Sequence, residues 1–186
     1  MSGYPIRPRL AAIAALLLAL ILAQPAQAAV EITFFSKELS TSFPHAFVVI
    51  EGALENGERV DEDYGFTAKS VSPAILMGAV KGEVVSDHDQ SYVRRSDRHF
   101  TLTISDAEFA RALATVERWR TARQPSYRLG SRNCVHFVAE IAASIGLVAE
   151  TPKRLMKKPR SYLEFLTTAN RALLQRRGAT VHRAPA

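Results

Sequence analysis

Cysteine and tryptophan occur once each in the 186 residues. A single thiol, Cys134, excludes an internal disulfide, so packing rather than cross-linking must hold the fold. No cysteine follows the apolar stretch near the N-terminus, which excludes a lipidated anchor there. That stretch, residues 10–23, is short of the roughly 20 residues a membrane-spanning helix needs. Internal repeats and low-complexity tracts are missing, which argues against a solenoid. No two clusters of histidine, cysteine or acid share metal-ligand spacing, so neither metal nor cofactor is expected. Aromatic and basic residues do not interleave and the net charge is only +6. A nucleic-acid partner is therefore not expected.

What is present begins with a leader. "MSGYPIRPR" carries two arginines and no acid, "LAAIAALLLALILA" is uncharged and apolar, and "QPAQA" supplies the small-x-small exit Ala26-Gln27-Ala28. These three parts predict a signal peptide over residues 1–28, cleaved after Ala28, and a periplasmic or secreted protein; a retained anchor is the rival reading. Residues 29–150 read as one catalytic-sized domain, and 151–186 as a basic extension ending in an amphipathic helix.

Residues 30–42 read as a strand followed by a polar turn, and further strands are predicted over 45–54, 59–68, 82–87 and 98–105. Asn56-Gly57 centres a hairpin between the second and third. Phe100, Leu102 and Ile104 alternate with His99, Thr101 and Thr103, so His99 is expected to be exposed. Residues 72–80 suggest a short helix behind Pro73, and 87–97 a charged loop. Ser105 and Glu108 form a capping box for a helix carrying Phe109, Leu113, Val116 and Trp119. A further helix starts near Ser131–Asn133 and stops at Gly146. Another spans 161–177, and residues 178–186 should fray. Mixed strands and helices of this kind predict an α+β fold.

Cys134 falls in the first turn of the 131–145 helix, on the face shared by Phe137, Val138, Ile141 and Ile145. Unpaired N–H groups and the helix dipole there favour thiolate, with Arg132 adding to the effect. The plainer reading is a cysteine acting as a small core hydrophobe. A nucleophilic thiol needs an imidazole within reach. His182 lies in the tail, and His88, between Asp87 and Asp89, reads as a solvated loop residue. His136 is two residues past the cysteine, about 200° around the helix, where packing or a bond to Glu140 suits it. His45 opens a strand with apolar residues on both faces, which solubility does not explain.

"NCVHFV" (133–138) resembles the Asn-Cys-x-His-Phe-Val signature of lecithin:retinol acyltransferase-like proteins, within the circularly permuted branch of NlpC-type, papain-like thiol enzymes. "PHAFVVIEG" (44–52) is similar to the histidine strand of that branch, and the order His45 then Cys134 agrees. The resemblance covers roughly residues 43–147. It implies a small antiparallel sheet packed with helices, Cys134 as nucleophile, His45 as base, and Asn133 assisting backbone N–H groups at an oxyanion site. His136 would be a structural histidine. A third polar group usually orients the base from the next strand. A two-residue turn at Asn56-Gly57 pairs Val48 with Gly65, leaving Thr67, Tyr64 or, after a one-residue slip, Asp63 open for that role.

Export and the resemblance together point first to a cysteine hydrolase acting through an acyl-enzyme on an amide of peptidoglycan or another envelope peptide. A lipid ester or thioester, hydrolysed or transferred, is the second reading. A non-catalytic envelope-binding module that keeps the fold is the third. The basic segment "KRLMKKPR" beside an amphipathic helix could give peripheral membrane contact, although a helix packing Leu163, Phe165, Leu166, Leu173 and Leu174 onto the domain explains the pattern equally.

Overall fold

The computed structural model describes residues 29–38, 43–70, 72–86 and 88–182; the expected leader, residues 1–28, lies outside them. The strands are β1 (Val30–Lys37), β2 (His45–Ala53), β3 (Arg59–Ala68), β4 (Gly82–Val85), β5 (Asp97–Ile104) and β6 (Thr180–Val181). The helices are α1 (Ala74–Met77), α2 (Gln90–Arg94), α3 (Asp106–Arg120), α4 (Cys134–Ser144), α5 (Pro159–Ala169) and α6 (Arg171–Arg176). One antiparallel sheet runs in the order β4-β3-β2-β1-β5-β6. The fold is α+β, as the strand and helix patterns predict.

Period-two alternation sorts each strand into two faces. Phe34, Val48, Ile50, Phe66 and Phe100 share a fully buried face with Phe137 and Ile141 of α4. The opposite face carries Phe35, Phe47 and His45, and at one end of it Phe47 stacks on Phe35 with ring centroids 5.1 Å apart. Burying the side chains of α4 contributes roughly 1.5–3 kcal/mol each for Phe137, Val138 and Ile141, which is why so apolar an 11-residue helix sits against the middle of the sheet.

The β2–β3 hairpin forms around Asn56-Gly57, but its register differs by one residue from a two-residue turn. The Leu54 N–H donates to the Glu58 carbonyl at 2.9 Å, and Gly57 sits at φ +85°, where a side chain would be strained. This longer loop pairs Phe47, not Val48, with Gly65.

The C-terminal segment is integral rather than appended. Leu155, Met156, Tyr162, Leu163, Leu166 and Leu174 join the same core. One helix expected over 161–177 is two, because Asn170 turns its side chain to Val148, accepting from its N–H at 2.8 Å and donating to its carbonyl at 2.9 Å. Residues 180–181, expected to fray, pair with β5 instead.

His99 is also not where alternation alone puts it. A β-bulge between Phe34 and Phe35 leaves His99 unpaired in the β1–β5 ladder. It lies buried, its Nε2 2.8 Å from the Ser36 hydroxyl. Burial pulls this imidazole from 6.5 down to about 4, against Asp97, which favours the charged form. A depressed histidine stabilises the fold fully above pH 6.5, and that contribution is lost as pH falls toward 4, because the unfolded chain takes up the proton first. The window is worth roughly 3 kcal/mol. Urea midpoints measured from pH 7 to pH 4.5 should therefore fall more steeply for the parent than for His99→Gln. Parallel curves would contradict this placement.

Candidate active site

Asn133 caps α4 and ties its start to two other segments. Its side-chain carbonyl accepts from the Val135 N–H at 2.9 Å, the His136 N–H at 3.3 Å and His136 Nδ1 at 2.8 Å. Its amide nitrogen donates to the carbonyls of Leu129 at 2.7 Å and Met156 at 2.6 Å. Both amide hydrogens are thus committed, and the buried side chain has no donor left for an oxyanion. Asn133 positions the cysteine; the expected direct role at the oxyanion does not fit. His136 bonds Asn133 rather than Glu140, which instead accepts from Trp119 Nε1 at 2.8 Å and Arg118 at 2.9 Å.

Cys134 is the first residue of α4 and 6 % exposed. Three backbone N–H groups, of Ala46, Val135 and Cys134 itself, favour its thiolate, yet burial outweighs them and pushes the thiol up to about 11. Arg132 does not assist. Its guanidinium lies 3.8 Å from the Trp119 ring centroid, held on the indole face. The expected thiolate therefore gives way to a neutral thiol.

The bond from Ala46 places the sulfur beside the residue that follows His45. The β2–β3 ladder ends at Phe47–Gly65, while β3 continues to Ala68 paired with β4. Cys134 comes from the helix-covered face and His45 from the face shared with Phe47. Both line one cavity of about 690 Å³.

His45 is held over a glycine. A β-carbon at Gly65 would strike His45 Nε2 and approach the Cε1 atoms of His45 and His88 to 3.2 Å each. Gly65 has an ordinary backbone conformation, so Gly65→Ala should fold while displacing the imidazole. Turnover should fall more than tenfold with little change in melting temperature. Unchanged turnover in a folded Gly65→Ala protein would show that the ring's seat on Gly65 is immaterial.

His88 is the residue that sequence reasoning missed. It is not a solvated loop residue. Its Nδ1 and its backbone N–H both bond the Asp63 carboxylate, the latter at 3.1 Å from Oδ2. Its ring stacks on Phe47 at 4.7 Å and Tyr92 at 5.3 Å, with centroid 5.7 Å from that of His45. Burial first, and His88 second, pull His45 down to about 3. Of the three open candidates for a third group, Tyr64 is buried on the helix-covered face and Thr67 lines the cavity without a bond to His45 among the described residues. Asp63 reaches the site only through His88. The single sequence signal for His88 was an imidazole between two acids.

Tyr127, also unmarked by any periodicity, lines the same cavity. Burial, and secondarily the neighbouring Cys134, raise its phenol to about 12, so it stays protonated and able to donate. Pro44, Phe66, Ile75, Leu129 and Val135 supply apolar wall, and Lys157 stands among the lining residues, which include no acid among the described residues.

Comparison with protein-family models, curated proteins and solved structures finds no match.

Proposed function

We propose that the protein is a cysteine hydrolase or acyltransferase that works through an acyl-enzyme on Cys134. The observation that carries this reading is the opening of the Cys134 thiol and the His45 imidazole onto one largely apolar cavity. The neutral pair is the resting state. As Sγ attacks the substrate carbonyl carbon, its proton passes to His45, and the carbonyl π electrons move to oxygen. The Cys134 N–H and the Tyr127 hydroxyl are the donors for that oxyanion. Asp63 seats His88, whose ring packs beside the His45 imidazole. Collapse expels the alcohol, thiol or amine with the His45 proton. Water or another acceptor then gives a proton to His45 and attacks the acyl carbon, and the departing Cys134 sulfur takes that proton back from His45.

The apolar walls favour an acyl chain, so an ester or thioester takes precedence here over the envelope amide that export suggested. Acyl thioesters of increasing chain length test this. Specificity should rise about fourfold per methylene until the cavity is filled. Release of muropeptides from cell-wall sacculi without thioester turnover would favour the amide. No turnover of either, with no acyl group captured, would leave the binding module.

A further inference from the structure

The lip of the cavity is built unlike an ordinary surface. A surface helix normally turns its apolar residues inward. α1 is Ala-Ile-Leu-Met and buries none of them. Leu76 is 79 % exposed and Met77 89 %, and Phe43, which lines the same cavity, is 64 % exposed. They are the three most exposed large hydrophobics among the described residues. Beside them stands a pinned basic segment. Lys153, Arg154, Lys157 and Lys158 are exposed, whereas Leu155 and Met156 between them are buried. The Met156 carbonyl is held by Asn133, the residue before the nucleophile. Lys157 itself lines the cavity.

Membrane contact through the C-terminal amphipathic helix does not fit, since Tyr162, Leu163 and Leu166 spend its apolar face on the core. The basic segment finds its apolar complement at the cavity lip instead. We propose that the mouth of the Cys134 cavity docks on an anionic lipid bilayer, with Phe43, Leu76 and Met77 entering the headgroup–acyl boundary and the bases of 153–158 meeting headgroup phosphates. Three apolar side chains are too few for the packed centre of a stable protein interface. A bilayer needs no shape complementarity, and it rewards this combination of a small apolar wedge with clustered positive charge. Docking would bring a lipid carbonyl to the opening that leads to Cys134.

The test is sedimentation of the chain from Ala29, carrying Cys134→Ser to remove turnover, with vesicles of phosphatidylcholine alone or mixed with phosphatidylglycerol. Partition onto the anionic vesicles should be at least tenfold stronger and should weaken with salt. Lys157→Gln and Lys158→Gln should each cost about fivefold. Leu76→Asp combined with Met77→Asp should cost tenfold or more at an unchanged melting temperature. Equal partition onto both vesicle types, or partition indifferent to Leu76 and Met77, would overturn the proposal. So would a dimer that the Leu76/Met77 variant disperses while the parent ignores vesicles. Binding is read without turnover, so failure here is distinguishable from failure of the thiol chemistry.

Discussion

Replacing His45 with alanine should lower turnover of a medium-chain acyl thioester by about a thousandfold or more. In the proposed mechanism the imidazole takes the thiol proton on attack and returns it to the leaving group, so its loss would remove assistance from both steps. The size of the effect follows from the state of the thiol. A cysteine already ionised would attack without a base, but burial holds Cys134 protonated at about 11. His88→Gln should cost less, about ten- to a hundredfold, because that ring, held by Asp63, packs beside His45 and positions it. Free imidazole should partly restore His45→Ala, since the cavity it leaves is open to solvent. His99→Ala is the control for general loss of structure, as His99 is buried in β5 and bonded to Ser36 rather than lining the cavity. An equal fall in both variants would mean that the loss reflects packing rather than base catalysis.

Alkylation by iodoacetamide gives the second large effect. A thiol at about 11 is ionised at pH 7 about a hundredfold less than one at the ordinary 9. The rate at Cys134 should be correspondingly slow at neutral pH and climb about tenfold per unit from pH 7 to pH 10 without a plateau. A plateau across neutral pH would reveal a resting thiolate–imidazolium pair and contradict the neutral pair. The same shift links to stability. A raised thiol stabilises the fold fully below pH 9, and this is lost as pH rises toward 11, because the unfolded chain ionises first.

The elements that alternation and capping predict are those that depend on near neighbours. The capping box is present, with the Ser105 N–H donating to Glu108 at 2.9 Å, and the cysteine helix buries the face its period marks. What escapes is set by contacts distant in sequence. Asn56-Gly57 suits both a two-residue turn and the longer loop, and only pairing along the strands separates them. The bulge that buries His99 depends on where β1 and β5 fall out of step, which neither strand encodes alone. His88 enters the site because Asp63 and the Phe47 ring hold it. Helix-tip position argues for a thiolate, but burial, a property of the whole domain, wins at Cys134 and pushes the thiol up to about 11.

The central claim is that Cys134 carries the acyl group. Rapid quenching during thioester turnover, followed by mass measurement of the peptide holding Cys134, tests it directly. The account predicts an adduct of the acyl mass on that peptide, absent from Cys134→Ser and strongly reduced in His45→Ala. Turnover with Cys134 unmodified at every quench time, or undiminished in Cys134→Ser, would contradict it.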